Sequence, residues 1–419
     1  IRILSEVAWI YDCMDNYEEG LPFLLRAEEL GRDDEWIKTE IAMNLGRSGK
    51  LSEGIEKLKE SLTMVEEADI NRRILIYSEI GWYYGKLENP EPEEGLKYLN
   101  IAKELGRDDE WIHSEIGYQL GYNPEARKES LEHFDRAIEL GRNDAWIFEV
   151  RGAVLLDLKR YQEALDSFKN AYDLSNDGWY LYCMGRCLRG LERYEEAIKR
   201  LEKSLKLIEA DEAENGDEKV NEKIFIVSEL GYLHGVQGKA EEALKYFYTA
   251  KDLGRNDGWI YLHLYHNLKT TKGEEEALKY FEEQAKIEDK NPVLLEALGN
   301  IYMLEAANYE KAEKTFQKAF ALSGDGQQLF NRGRALVALK KYEEAIEVLL
   351  QSRRISEQEG DVTDGEDMEL VRCYIGLKDK KNAEKYLELA REGADNVADE
   401  FIDEYEEELD QLEDMIDEL

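Results

Sequence analysis

The 419-residue sequence has few of the residues that crosslink or interrupt a chain: four cysteines, five prolines and five histidines. Four cysteines inside repeated segments do not form the disulfide framework of a small secreted protein. The sequence also has no Asn-X-Ser/Thr glycosylation site. Both absences are typical of the reducing cytoplasm, which is the location that we predict.

Long apolar runs are missing as well. None approaches the roughly 20 residues that a membrane-spanning helix needs, and no basic and apolar leader opens the chain. We therefore predict no membrane partner. Ile1 lies in the middle of a repeat's first helix, so a preceding segment, even a catalytic domain, stays open as an alternative.

Positive charge is scarce. Lys and Arg number 55 against 94 Asp and Glu, which gives a formal net charge of −39. A chain this acidic repels phosphate backbones, so we expect no nucleic-acid partner. With 43% hydrophobic residues, the chain can nevertheless bury a long continuous core.

Catalytic motifs are also absent from the sequence. It contains no phosphate-binding loop, dinucleotide fingerprint, His-Glu-x-x-His pair or Ser-His-Asp arrangement. Cys183 and Cys187 are spaced like two metal ligands on one helix, as are His263 and His266. We interpret the cysteines as small packing residues and the histidines as ordinary polar side chains. The sequence thus predicts no enzyme, no cofactor and no metal.

What the sequence does contain is a recurring set of small residues. Gly152, Ala164 and Ala171 stand at intervals of twelve and then seven residues (164 minus 152; 171 minus 164). The same spacing returns in Ala8, Gly20 and Ala27, in Gly185, Ala197 and Ser204, in Gly231, Ala243 and Ala250, and in Gly333, Ala345 and Ser352. Each unit is roughly 34 residues long, so the chain is an array of about eleven units.

The small residues predict close contacts between helices. Two helices joined by a short turn approach closely only where both surfaces lack bulk. Between the small positions, Leu155, Tyr161, Leu165 and Phe168 recur at helical spacing. Each unit is therefore a helical hairpin, and its apolar face requires stacking against the next hairpin.

This pattern, with second-helix openings such as YQEAL and KKYEEAIEVL, resembles the tetratricopeptide repeat in a bacterial-type multi-repeat array. The resemblance covers residues 1 to about 393. It implies an all-α fold, a right-handed α-solenoid of about eleven hairpins, in which first helices line a concave groove for ligand peptides. The proline that usually follows the second helix is mostly replaced by segments such as LGRDDEWI, from Leu30 and from Leu105. There we predict a left-handed Gly at the helix end and an Asp N-cap for the next helix.

A longer period lies above the single repeat. Three long charged connections begin at Ser61, Ser204 and Ser352, four repeats apart each time. We therefore predict blocks at residues 1–143, 144–290 and 291–394, with bends near 65–72, 208–222 and 356–366. Residues 395–419 are rich in Asp and Glu but keep an apolar stripe from Val397 to Ile416. They predict an acidic capping helix, and a regulatory tail is the alternative.

Candidate binding residues follow from the groove that the resemblance implies. Counting Gly152 as the eighth residue of its unit, the ninth place carries large side chains that suit a binding hot spot. These are Trp9, Met43, Trp82, Tyr118 and, later, Tyr232. Carboxylates nearby favour a basic partner, namely Glu6, Glu40, Glu79 and Glu115. Packing of the aromatic residues and bracing by the carboxylates are the alternatives.

The second half of the predicted groove carries basic residues at its ninth and twelfth places. They are Arg186, Arg189, His266, Lys269, Arg334 and Arg372. Chaperone-binding members of the family use a clamp of one Lys and two Asn. Here Asn300 and Asn331 stand near the Asn places, but Glu296 replaces the Lys. A chaperone tail is therefore not the expected ligand.

The sequence as a whole predicts a non-enzymatic scaffold or adaptor that binds a protein or peptide, as a monomer or weak homodimer. Two alternatives stay open. One is a regulator whose groove senses a peptide, and the other is an acidic chaperone-like protein that shields basic partners.

Overall fold

The computed structural model describes residues 1–215, 219–360, 363–393 and 402–419, and no β-strand occurs within these ranges. The chain divides into two compact units, Ile1–Glu214 and Asn215–Leu419. The first unit contains α1 (Arg2–Asp12), α2 (Tyr17–Glu29), α3 (Glu35–Arg47), α4 (Leu51–Leu62), α5 (Ile70–Lys86), α6 (Pro92–Glu104), α7 (Glu110–Leu120), α8 (Arg127–Glu139), α9 (Ala145–Asp157), α10 (Tyr161–Ser175), α11 (Gly178–Gly190) and α12 (Tyr194–Asn215), which reaches the boundary.

The second unit continues the alternation. It contains α13 (Val220–Val236), α14 (Ala240–Asp252), α15 (Gly258–Lys272), α16 (Glu274–Ile287), α17 (Pro292–Asn300), α18 (Tyr309–Ser323), α19 (Gly326–Ala338), α20 (Tyr342–Glu359), α21 (Asp364–Gly376), α22 (Lys380–Glu392) and α23 (Ile402–Asp417). A π-helical segment, Ile301–Glu305, extends α17.

Each odd-numbered helix from α1 to α21 packs against the helix that follows it, and within each unit that second helix packs on the next hairpin. We call the two members of a hairpin its first and second helix. The predicted all-α array of stacked hairpins is confirmed. Its handedness and its repeat number of about eleven remain predictions.

The eighth-place glycines explain how the two helices of a hairpin fit together. A Cβ added at Gly231 would lie 2.6 Å from Cε1 of Phe247 in the second helix, which is closer than real atoms approach. The large residue stands 16 to 18 positions after the glycine in every such pair: Gly81 and Leu99, Gly117 and Phe134, Gly152 and Phe168, Gly185 and Leu201, Gly231 and Phe247, Gly299 and Phe316, and Gly333 and Leu349. The predicted close approach of the two helices is confirmed, but the eighth-place glycine faces a large apolar side chain rather than a second small residue.

The LGR segments form compact junctions between hairpins. Gly31 has a φ of 92°, and the amide of Arg32 donates to the carbonyl of Ala27, which closes the end of α2. Asp34 then caps α3 by accepting from the amide of Ile37 at 2.9 Å. The other three copies repeat this arrangement, with Asp109, Asp144 and Asp257 as caps. The predicted helix end and start are therefore confirmed.

The arginine of each junction has two further contacts. Arg32 Nε lies 2.9 Å from Asp34 Oδ2, and its guanidinium lies 4.3 Å from the ring centroid of Trp36. The same pair of contacts occurs in the copies centred on Arg107, Arg142 and Arg255. The tryptophans at the second place of these units thus pack beneath the junction arginines.

The last helix covers the final hairpin. Leu409, Leu412 and Ile416 of α23 are buried against α21 and α22. The Tyr405 hydroxyl donates to the carbonyl of Ala390 at 2.8 Å. Residues 394–401, which include Val397 and Phe401 of the predicted cap, lie outside the described residues.

Two of the long connections are in large part helix, because α12 has 22 residues and α20 has 18. The first connection instead ends where α5 begins at Ile70. The predicted bends at 208–222 and 356–366 each include residues outside the described ranges, namely 216–218 and 361–362. The bends and the division into four-repeat blocks stay predictions.

Candidate functional site

First helices of neighbouring hairpins touch one another within each unit. The contacts join α3 to α5 and α5 to α7 in the first unit, and α13 to α15, α15 to α17 and α19 to α21 in the second. Side chains cross these contacts, as where the Tyr180 hydroxyl of α11 donates to Glu149 of α9 at 2.9 Å. We call this surface of the odd-numbered helices the first-helix face of each unit.

The ninth-place side chains of the first unit lie on this face with different degrees of exposure. Trp9 is 58% exposed. Met43 and Trp82 are half-buried and pack on the same apolar cluster formed by α4 and α5. Aromatic surface is therefore accessible at Trp9 of α1 and at Trp82 of α5.

Tyr118 belongs to an aromatic cluster that three first helices build together. Its ring centroid lies 5.7 Å from that of Trp146 in α9. The ammonium of Lys86 from α5 lies 4.7 Å from the Tyr118 centroid and 5.8 Å from the Trp146 centroid. The Tyr118 and Tyr122 hydroxyls share a hydrogen bond of 2.9 Å. The cluster places one cation within reach of the faces of two aromatic rings.

Most of the predicted carboxylates are turned inward. Glu6 is exposed and pairs with Arg2 at 2.8 Å. Glu79 is buried and pairs with Arg47 of the preceding first helix at 3.0 Å, so it braces α3 against α5. Glu40 lies 3.8 Å from Arg72, and burial raises its pKa to about 6.

Glu115 is the most perturbed carboxylate of this set. It is 5% exposed, and its Oε2 has no hydrogen-bond partner within the described part of the chain. Burial raises its pKa to about 7, although Lys86, Arg142 and Arg107 lie close enough to lower it. Near neutral pH, the neutral and ionised forms of this carboxyl are therefore about equally populated in the folded protein.

Tyr232 is the ninth-place aromatic residue of the second unit. Its ring contacts His263 edge to face at a centroid distance of 5.5 Å, and Trp259 at 6.5 Å. Burial lowers the pKa of His263 to about 4, so this imidazole is neutral at physiological pH. Tyr232 therefore belongs to an aromatic cluster with a neutral imidazole, and the Arg255 guanidinium lies 4.1 Å from the Trp259 ring centroid of the same cluster.

Several of the predicted cations face carboxylates. Lys269 pairs with Glu305 at 2.7 Å and with Glu274 at 3.2 Å. Arg334 lies 3.7 Å from Glu369, on the neighbouring first helix. These contacts neutralise much of the positive charge that the sequence places here.

The other cations differ in exposure. Arg372 pairs with Glu369 at 2.8 Å and also contacts Glu408 of α23. His266 is exposed, and its ring lies beside that of Tyr265. The two remaining candidates, Arg186 and Arg189, are half-buried on α11 in the first unit.

A cavity of about 450 Å³ lies on the first-helix face of the second unit, between α15, α17 and α19. Its apolar walls come from Leu262, Val293, Ala297, Ile301 and Leu304, and its polar groups include Glu296, Asn300 and Asn331. The average repeat pattern predicts no cavity at this place. Two signals mark it: Tyr265 stands at the eighth place, which Gly or Ala fills in most other repeats, and Gly299 and Ala312 are thirteen rather than twelve residues apart (312 minus 299).

Comparison with known proteins agrees with this architecture. Residues 301–359 match the family model described as tetratricopeptide repeat. The crystal structure of yeast Tom70 aligns with 99% of this chain and 95% of its own, at 14% identity and a TM-score of 0.50. Residues 301–359 thus match the tetratricopeptide family, and the chain as a whole has the fold of a multi-repeat tetratricopeptide array.

Other similar solved structures cover less of this chain. The C-terminal part of a TPR repeat-containing protein from Cytophaga hutchinsonii is 14% identical over 62% of this chain and 98% of its own, with a TM-score of 0.47. MamA from Desulfovibrio magneticus is 22% identical over 43% of this chain and 94% of its own, with a TM-score of 0.37. No curated protein matches the chain.

The three polar residues that the sequence predicts at or near the places of a chaperone clamp all line the cavity. The structure brings Asn300, Asn331 and Glu296 together at the rim of the cavity. Glu296 accepts a hydrogen bond from the Gln328 amide at 3.2 Å, and burial raises its pKa. The acidic group reverses the charge preference that a lysine would give.

The two cysteines that are spaced like metal ligands are packed in the protein interior. Cys183 and Cys187 are buried, and burial raises the pKa of Cys187 to about 12, which disfavours the thiolate that binds metals. Within the described ranges, no group of three or more His, Cys, Asp or Glu side chains could hold a metal ion. The described helices also include none with the length and apolar character of a membrane span.

Proposed function

We propose that this protein is a non-catalytic scaffold that binds a protein or peptide partner on its first-helix faces. The main support is the aromatic surface of the first unit, where Trp9, Trp82 and Tyr118 stay exposed or half-buried at equivalent places of their repeats. Large rigid aromatic side chains provide contact area at low entropic cost, and they are enriched in binding hot spots.

The charge of the chain defines the partner further. With a net charge of −39, the scaffold attracts a basic protein or peptide and repels nucleic acid. We also propose that the protein resides in the reducing cytoplasm. We propose that it is a monomer or a weak homodimer.

Simultaneous replacement of Trp9, Trp82 and Tyr118 by alanine tests this function. We expect the recovery of the main partner, in quantitative affinity capture with the full chain as bait, to fall at least tenfold, because hot-spot residues each cost more than about 1 kcal/mol. Tyr172→Ala is the matched control, since Tyr172 is a half-buried aromatic residue on the second helix α10. Equal recovery by the triple variant would rule out the assignment.

The net charge also supports a second candidate function, shielding of basic partners without a defined groove. Such binding falls steeply as salt rises and does not depend on individual aromatic residues. Repeating the capture at 0.1 M and about 0.5 M salt therefore separates the two candidates. A scaffold that relies on aromatic contacts retains most of its partner at the higher salt concentration.

A further inference from the structure

The cavity between α15, α17 and α19 has the dimensions of a binding pocket for part of a peptide. Its volume of about 450 Å³ lies within the range of roughly 300 to 1,000 Å³ that is typical of ligand pockets. Leu262 and Leu304 on its walls are 49% and 67% exposed, so apolar surface faces the opening. An apolar side chain entering the cavity would cover this surface.

The local backbone departs from the repeat pattern at this cavity. The extra residue between Gly299 and Ala312 is accommodated by the π-helical segment Ile301–Glu305, and three residues of that segment line the cavity. Segments of π-helix are costly and are frequently found at functional sites. The cavity is thus built by a feature that the other first helices of the described chain do not have.

Tyr265 provides separate evidence that this cavity binds a ligand. It stands where most other repeats have Gly or Ala, its side chain is completely buried, and it lines the cavity. Its hydroxyl has no hydrogen-bond partner in the described part of the chain. A buried hydroxyl without a partner costs about 1 to 3 kcal/mol, which a ligand group that accepts its hydrogen bond would recover.

The charges at the cavity select the ligand. Glu296 and Glu305 line it, and none of the lining residues is Lys or Arg. Lys269 at the edge pairs with Glu305 at 2.7 Å, which leaves Glu296 as the carboxylate without a cationic partner within ion-pair distance among the described residues. The site therefore attracts a cation and repels a carboxylate or phosphate.

We propose that this cavity binds a partner segment in which a large apolar side chain stands next to a Lys or Arg. The apolar side chain fills the space lined by Leu262, Ala297 and Leu304, and the cation pairs with Glu296. The amides of Asn300 and Asn331 are placed to bond the peptide backbone, since each can donate and accept. This inference rests on the proposed scaffold function and names the partner chemistry of one site.

Selection from a randomised heptapeptide display library against the full chain tests the proposal. The expected result is a consensus with an apolar residue beside a Lys or Arg. The synthetic consensus peptide should bind Glu296→Gln at least tenfold more weakly than the wild type. Glu283→Gln, which changes an exposed carboxylate of α16, should bind it as the wild type does. Tyr265→Phe should weaken binding several-fold without lowering stability, because it removes only a hydroxyl that lacks a partner.

Several outcomes would overturn the proposal. They are the absence of any consensus, a consensus of acidic peptides or free C-terminal carboxylates, and unchanged affinity for Glu296→Gln. Circular dichroism of each variant establishes that it is folded. If these experiments fail while the alanine variants of the first unit still lose the partner, the cavity proposal is wrong and the scaffold function stands.

Discussion

Replacing Phe247 by alanine is expected to lower the free energy of unfolding by about 3 to 5 kcal/mol. The ring is completely buried and lies against Gly231, so the substitution leaves a cavity between α13 and α14 that neither helix can fill. Chemical denaturation followed by circular dichroism measures the loss. Phe225→Ala is the matched control, because Phe225 is 48% exposed, and we expect it to cost less than about 1 kcal/mol.

The contact between Gly231 and Phe247 also predicts that a second substitution compensates in part for the first. Gly231→Ala alone should destabilise, because its Cβ would overlap the Phe247 ring. Adding Phe247→Leu should recover part of that loss, since an eighth-place Ala already shares an apolar cluster with the equivalent Leu in Ala8 with Leu24 and in Ala42 with Leu58. Strict additivity of the two substitutions would contradict direct contact between the positions.

Replacing Glu115 by glutamine is expected to stabilise the protein at alkaline pH. The pKa is raised from 4.5 to about 7 in the folded state by burial. Folding therefore favours the protonated form, and the cost of the buried charge is absent below pH 4.5, grows as pH rises, and is complete above about pH 7. The variant lacks this cost, so it should exceed the wild type by up to about 3 kcal/mol at pH 8.

Urea denaturation at pH 5.5 and pH 8 measures this difference. The stability gap between Glu115→Gln and the wild type should widen between the two values. Glu110→Gln, which alters an exposed carboxylate of the same helix, should show no such change. A variant less stable than the wild type at pH 8 would show that the ionised Glu115 is favourably bound by Lys86, Arg107 and Arg142.

The sequence was sufficient to predict features that depend on local spacing. The interval between Gly231 and Ala243 indicates two helices in contact, because small residues on both allow close approach. The LGRDDEW segments indicate a helix end and start, since Gly31 and Asp34 have conformational and capping preferences that act within a few residues. These features needed no knowledge of neighbouring hairpins.

Features that depend on the register between hairpins were harder to predict. Whether Glu79 faces solvent or Arg47 is decided by how α3 and α5 are aligned, and the two residues are far apart in sequence. The pairing of Arg334 with Glu369 depends on register in the same way. The cavity at Tyr265 arises where two local exceptions coincide, so a repeat pattern that describes the average unit does not reveal it.

Site-specific photo-crosslinking shows directly whether partners bind the first-helix faces. A benzophenone amino acid in place of Trp82 on α5 is compared with the same residue in place of Glu56, which is exposed on the second helix α4. The account predicts that the captured partner crosslinks efficiently from position 82 and little from position 56. Efficient crosslinking from position 56 alone would contradict it.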